Sequence, residues 1–495
     1  MRPLLEEFTT TLTPDAVIER LSGEPGILLL RSASGETSQA RYSYVTALPF
    51  LTFRSFGSRC ELRSANRCHI QFGNPWSVLD SLLSRYELLD EVDLPFPLGG
   101  CFGYWGYDLK DFVEPDLRHR AVNELELPDC CVGFYSSLLV FDHALGKSWI
   151  IATGLAADGS RHDACARDEL QFWKGLVSHE QSETHSEPSL LASAKTAGPE
   201  RLREGRGDIT PSTHQGLTSN LTRDQFIASV ERAQQYIRAG DIYQVNLSQR
   251  LSVESPLSAW DLYCRLSAVS PAPFSAYLDC GDFQIASASP ELFLRLSGAQ
   301  VLTRPIKGTR PRSADPIRDA QLTYELQTSP KEMAELVMIT DLLRNDLGKV
   351  CEYGSVHVPE LVRLERYPQV QHLVSSVEGR LRPRTTHLQA LAACFPGGSI
   401  TGAPKFRAME IIDELEPATR GPYTGALGFL GFNRESQLSV IIRTALCRDN
   451  TTFFHVGAGI VADSIPSAEY EETLAKARGF LQALQYPARV PLDAA

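Results

Sequence analysis

The sequence predicts a mixed α+β fold in which strands outnumber long helices. Two observations carry this. Short apolar runs bounded by turn residues fill the N-terminal third, as in Gly26-Ile-Leu-Leu-Leu30, Pro49-Phe-Leu-Thr-Phe53 and Ser136-Ser-Leu-Leu-Val-Phe141. Further along, a few well-capped segments keep a helical period. The 495 residues suffice for about three ordinary domains. With 43% hydrophobic and 22% charged residues, wholesale disorder is excluded.

Taken in order, the apolar runs read as strands, many paired antiparallel. Among them, Gly99-Gly-Cys-Phe-Gly-Tyr-Trp-Gly-Tyr107 is dense in glycine and aromatics, which permits bending or close packing of the backbone. Residues 156–220 are polar and poor in aromatics, the composition of a mobile linker, with room for a short helix near Asp168–Leu176. Thr222-Arg-Asp-Gln225 fits a capping box. Phe226, Val230, Ala233 and Ile237 follow at helical spacing, and Gly240 closes the element. A strand is expected over Ile242–Leu247. Helices are expected over Lys331–Leu347, ending at Gly348, over Phe406–Leu415, and over Ser467–Leu484 with Ser467 as cap. The chain thus divides into an N-terminal subdomain (1–155), the linker (156–220), a C-terminal region (221–485) and a tail (486–495).

The net charge of −12 repels phosphate backbones and argues against nucleic-acid binding. No apolar run approaches the ~20 residues that span a bilayer, and Met1–Thr10 lacks the features of a secretory signal. Eleven cysteines occur without a Cys-x-x-Cys pair or zinc-ligand spacing, as expected of reduced thiols in the cytoplasm.

Five constellations can carry chemistry. Glu332 and Glu335 lie three apart on one expected helix, and Glu469 and Glu472 repeat that spacing on another. Four carboxylates suit Mg²⁺, which prefers oxygen ligands and keeps some waters. The alternative is two solvated helix faces. Phe395-Pro-Gly-Gly-Ser-Ile-Thr-Gly-Ala-Pro-Lys405, with Thr401 and Gly402, leaves backbone N–H groups near a helix start. That suits a carboxylate or is merely a tight loop. Lys307, between Ile306 and Gly308, becomes a nucleophile or base if desolvated, and is otherwise a surface charge. Glu291 follows Pro290 at a strand end, as a general acid or an ordinary helix-start acid. Arg443 in an apolar strand needs an anionic partner, and Gly457 and Gly459 open space beside it.

Together these segments resemble the chorismate-utilising enzymes, the family of anthranilate synthase large subunits and aminodeoxychorismate synthase component I. The motifs are Gly240–Gln249, Lys331–Gly348, His372–Gly379, Phe395–Lys405 and Gly457–Thr473, with a weaker likeness over Gly99–Glu114. The resemblance implies a large two-subdomain sandwich of packed, mainly antiparallel β-sheets with helices outside. It also implies site roles. Glu291 protonates the departing C4 hydroxyl of chorismate, and Lys307 attacks C2. Glu335 and Glu472 coordinate Mg²⁺, while Glu332 and Glu469 hold its waters. Tyr423, Arg443, Gly457, Gly459 and Lys476 meet the pyruvyl carboxylate. His372 and Thr401 lie close to the ring.

Two positions separate the branches of this family. Gln244 stands where ammonia-using members carry Gln and water-adding members carry Lys, since water needs a base. Lys307 in Pro-Ile-Lys-Gly-Thr resembles the aminodeoxychorismate branch, where anthranilate synthases usually show Ala. The implied reaction makes 4-amino-4-deoxychorismate from chorismate and ammonia, towards p-aminobenzoate and folate. The chain lacks Gly-x-Cys-x-Gly and other glutaminase signatures, so a separate glutamine amidotransferase subunit is expected as partner. The alternatives are anthranilate synthase component I and a non-catalytic tryptophan-binding regulator on the same fold. The intact Glu291, Lys307 and four-Glu set argues against the regulator. Arg31 replaces the Glu of the Leu-Leu-Glu-Ser segment in feedback-regulated relatives. This argues against tryptophan inhibition and leaves open a retained pocket involving Ser32.

Overall fold

Strands from both ends of the chain are shared between two sheets, of 13 and 12 strands among the described residues. The structure, a computed structural model, describes residues 2–32, 41–65, 67–89, 94–118, 120–178, 216–367, 369–485 and 493–494. The first sheet runs from Leu4–Phe8 through Lys147–Ala152, Ser137–Asp142, Tyr42–Thr46 and Leu28–Arg31. It continues through Phe274–Asp279, Gln284–Ser289, Thr444–Arg448 and Thr451–Ile460 to Gln244–Glu254. The second starts at Ile306–Pro311, Val370–Arg380, Gln300–Arg304, Leu292–Ser297, Glu435–Val440 and Ala426–Gly431. It ends with Gly100–Trp105, Cys130–Tyr135 and Leu51–Phe56, edged by two more strands. The expected α+β sandwich of mainly antiparallel sheets is what forms.

Two antiparallel seams join the N-terminal and C-terminal stretches. Leu30 pairs with Ala276 in the first sheet, and Gly103 with Gly428 in the second. At the second seam both glycines are required. Gly103 and Gly428 have φ of 149° and 154°. A Cβ on them would fall 2.2 Å from the Cys131 carbonyl and 2.0 Å from that of Gln437. The main core lies between the sheets. Tyr44 of the first meets Phe429 of the second edge-on at 5.1 Å, and Phe429 stacks on Phe102 at 5.2 Å.

The Thr222 capping box forms as expected, and the helix Arg223–Ala239 ends on Gly240 in the left-handed conformation. Two ends differ from expectation. The last helix is Pro466–Ala483, and Ser467 is inside its first turn rather than its cap, because Pro466 is already suited to the first helical position. Helix Pro330–Gly348 includes Gly348, and Lys349 follows in a right-handed conformation. The stretch expected as linker begins as structure. Helix Asp163–Ser178 buries Trp173 completely, and its indole donates to Ser137 Oγ at 2.9 Å. One aromatic anchor in a polar helix is a weak periodic signal. The rest of that tract, 179–215, and tail residues 486–492 and 495 lie outside the described residues. Among the described residues no helix is long and apolar enough to cross a membrane.

Asp129, whose carboxylate accepts the Gly57 N–H at 2.6 Å, is pushed up to about 7 by burial, with Asp108 adding to the shift. Between the unfolded value near 4 and about 7 the folded chain binds the extra proton, so stability falls as pH rises through that window. Asp129→Asn keeps the acceptor and removes the charge. It should be more stable than wild type at pH 8, by on the order of 1–4 kcal/mol, and show no gain at pH 4. Thermal melts at both pH values check this.

Candidate active site

The site forms where the chain passes between sheets. Glu291 lies between Gln284–Ser289 of the first sheet and Leu292–Ser297 of the second. Arg443 lies on the return passage, between Glu435–Val440 and Thr444–Arg448. The two crossings hold each other. The Val440 N–H donates to the Glu291 carbonyl at 3.1 Å, and the Ala288 N–H to the Arg443 carbonyl at 3.0 Å.

Glu291 is 6% exposed. Burial raises its pKa, opposed by hydrogen bonds from the Ser399 side chain and the Ile306 N–H and by the charge of Lys307. A carboxyl that holds its proton more tightly than usual is suited to act as an acid. Lys307 projects from Ile306–Pro311 with its Nζ 4.0 Å from Glu335 Oε2. His372, opposite Thr309 on the next strand, has its Nδ1 2.8 Å from Thr309 Oγ1. Burial, reinforced by Arg443, lowers His372 to about 4. The ring is therefore neutral at working pH and positions rather than donates as a cation.

The carboxylates of the two helices approach one another, each with its own partner. Glu335 faces Lys307 and Lys331, both at 4.0 Å, and Glu472 pairs with Lys476 at 2.8 Å. Glu332 pairs with Arg310 at 3.3 Å, and Glu469 accepts from the Ser464 hydroxyl at 2.6 Å. Burial raises Glu335, and the charges of Glu332 and Glu472 add to it. Burial also raises Glu469, reinforced by Glu472. On Glu472 burial is outweighed by Lys476, Lys331 and Lys307, leaving its pKa lowered. Among the described residues no three His, Cys, Asp or Glu side chains stand close enough to cage a metal. The donor set nonetheless fits Mg²⁺, which is commonly held by one or two carboxylates plus waters and substrate oxygens. The mutual repulsion felt at Glu335 is what a cation would relieve.

A second part of the candidate site is the antiparallel pair Gln244–Glu254 and Thr451–Ile460. Asn246 lies opposite Gly459, and Ser248 opposite Gly457. A Cβ on Gly459 would fall 2.4 Å from Gln244 Nε2. One on Gly457 would fall 2.7 Å from Asn246 Oδ1 and 2.9 Å from Tyr423 Oη. Glycine here keeps space in front of three polar groups. Gln244 Oε1 and Asn246 Oδ1 are buried without a hydrogen-bond partner, a costly state that a ligand's donors would relieve. Lys476 donates to the Gly457 carbonyl at 2.8 Å, which fixes its ammonium there beside Glu472. Tyr423 stacks on His455 at 4.8 Å, and burial pushes its hydroxyl up to about 12, so it stays protonated.

Arg443 has φ of 50°, a strained conformation for a residue other than glycine. Burial lowers its pKa, and no carboxylate pairs with it among the described residues. An unpaired desolvated guanidinium is a ready carboxylate site.

Thr401 is fully buried, and its hydroxyl donates to the Gly397 carbonyl at 3.0 Å. Gly402, with φ of 148°, lies against strand Gln244–Glu254 so closely that a Cβ would meet the Gln244 carbonyl at 2.2 Å. Lys405, at the end of that loop, clips it to helix Pro330–Gly348. Its Nζ reaches Asp346 at 2.6 Å and the Cys394 and Pro396 carbonyls at 2.9 and 2.8 Å.

Ser32 lines a separate small cavity with Leu30, Tyr44, Pro273 and Ser275, and Arg31 pairs with Asp15 at 3.2 Å. Sequence reasoning missed Asn246, Ser399, Lys331 and Thr309. Asn246 was within reach of it, since residues two apart on a strand share a face with Gln244.

Comparison with known proteins matches the chain to one family. Residues 37–482 match the chorismate binding enzyme model. The chain is 36% identical over 482 residues to anthranilate synthase component 1 of Acetivibrio thermocellus, covering 97% of this chain and 94% of that one. It is 37% identical over 468 residues to aminodeoxychorismate synthase component 1 of Escherichia coli (strain K12), covering 94% and 95%. The crystal structure of anthranilate synthase component I from Streptococcus pneumoniae TIGR4 superposes with a TM-score of 0.74 at 30% identity, covering 96% of this chain and 99% of that one. With these matches over nearly its whole length, the chain belongs to the chorismate binding enzyme family.

Proposed function

We propose that this enzyme converts chorismate and ammonia to 4-amino-4-deoxychorismate. The observation that carries this reading is Lys307, held 4.0 Å from Glu335 and close enough to the buried acid Glu291 to lower its pKa. Hydroxide is a poor leaving group, so Glu291 protonates the C4 hydroxyl, which leaves as water. Lys307, as the free amine, attacks C2 as the double bonds shift. Ammonia then adds at C4 and expels Lys307, so chorismate plus ammonia yields product plus water. Gln244 Oε1 and Asn246 Oδ1 offer acceptors to an incoming amine. Arg443, Lys476 and Tyr423 bind the pyruvyl carboxylate, and His372 and Thr401 border the ring. Glu335 and Glu472 would hold Mg²⁺, with Glu332 and Glu469 on its waters. When bound, the cation supplies charge neutralisation for the ring carboxylate.

Anthranilate synthase is the second reading, favoured by relatives of that name at 36% and 38% identity. One assay separates them: chorismate, Mg²⁺ and ammonium at alkaline pH, with products resolved by mass. Anthranilate with released pyruvate as the main product overturns our reading.

Two further outcomes are expected. Glu335→Gln and Glu472→Gln should lose most activity and need more Mg²⁺ for half-maximal rate, with unchanged circular dichroism. Near-normal turnover and Mg²⁺ dependence would remove them as ligands. The isolated chain should use ammonium but not glutamine, because a glutamine amidotransferase subunit is the ammonia source. Glutamine-dependent turnover by the chain alone would contradict that.

A further inference from the structure

Two thiols from different sheets meet far along the chain from each other. Cys131 belongs to strand Cys130–Tyr135 of the second sheet. Cys280 lies in the turn that joins Phe274–Asp279 to Gln284–Ser289 of the first, its N–H donating to the Phe283 carbonyl at 3.0 Å. The two side chains are close enough for each to shift the other's thiol. Both also line a cavity of about 210 Å³.

Arg54 completes the arrangement. It faces Cys131 across the strand pair Leu51–Phe56 and Cys130–Tyr135, and its guanidinium donates to the Cys280 carbonyl. Asp282, 2.9 Å away, anchors it. Hydrogen bonds from Cys280 and Arg54, together with the arginine's charge, outweigh burial and lower the Cys131 thiol below its ordinary value. The neighbouring Cys101 and Cys130 are raised by burial. The cluster thus sets two thiols on one cavity, with an arginine opposite Cys131 on the neighbouring strand and bonded to the Cys280 carbonyl.

We propose that Cys131 and Cys280 are a peroxide-reactive dithiol that closes to a reversible disulfide between the two sheets. The Cys131 thiolate attacks one oxygen of hydrogen peroxide. The O–O bond breaks, the departing hydroxide takes up a proton as water, and Cys131 becomes a sulfenic acid. The Cys280 thiol then attacks that sulfur, the S–O bond breaks, and the oxygen leaves as a second water with the thiol proton. The two thiols lose two electrons in total and one peroxide is reduced to two waters. The bond pins the turn whose second strand leads directly to Glu291.

The test exposes the full-length protein to hydrogen peroxide, alkylates remaining thiols, and maps peptides by mass. The expected result is a Cys131–Cys280 cross-linked peptide that disappears on treatment with dithiothreitol. Cys280→Ser should instead trap a dimedone-reactive sulfenic acid at Cys131. Arg54→Gln should slow cross-linking on the order of tenfold. If Cys131 and Cys280 remain alkylatable while only the exposed Cys68 and Cys165 oxidise, or if Cys131 links to Cys101 or Cys130, the proposal is wrong. The wild-type map decides this even if a variant fails to fold.

Discussion

Lys307→Ala is expected to lower turnover by on the order of 10³-fold or more, while chorismate still binds. The lysine is mostly buried, its side chain 16% exposed, and it is flanked by Glu335 at 4.0 Å. The substitution removes the nucleophile and leaves Glu291, the carboxylate pair and Arg443 in place, so the loss falls on the covalent step. With C2 unguarded, ammonia can reach it, and some flux should divert towards anthranilate. Intact-protein mass spectrometry gives the direct readout. Wild type incubated with chorismate and Mg²⁺, without ammonia, should accumulate a Lys307 adduct that discharges when ammonium is added. No adduct, together with wild-type 4-amino-4-deoxychorismate formation by Lys307→Ala, makes the lysine structural and reopens the choice between the two synthases.

The second large effect is at Arg443, where function and stability should move in opposite directions. The guanidinium is desolvated and unpaired by any carboxylate among the described residues, and its backbone has φ of 50°. Both features cost stability. Arg443→Gly removes the charge and suits the left-handed backbone, so its thermal midpoint should equal or exceed that of wild type. Loss of a charge that pairs with a substrate carboxylate in a desolvated site is worth about 2–5 kcal/mol, so kcat/KM should fall roughly 30- to 4000-fold. Arg443→Lys should recover only part of this, because a point charge does not reproduce the bidentate fork. A wild-type KM in Arg443→Gly would show that the carboxylate is held elsewhere.

Local rules reached far into this molecule. The capping box at Thr222 and Gln225 could be read because short-range geometry decides it. Glu291, Lys307 and Arg443 stood out as candidates because each is an ionisable residue among apolar or small neighbours, where charge is expensive unless it is used; their roles came from the family resemblance. A misreading arose where a neighbour shifted a boundary, as Pro466 did for the Ser467 cap.

What the sequence by itself determined was therefore the α+β class and most element types, all matters of local propensity and side-chain chemistry. Only the tertiary structure decided what each group faces. Ser399 reaches Glu291, Asp346 holds Lys405, and Cys131 lies beside Cys280 beneath Arg54. The pairs that set protonation and strain are separated by from about 60 to well over 100 residues, and desolvation depends on the whole packed surround. No local window contains that information, because burial and charge act through space rather than along the chain.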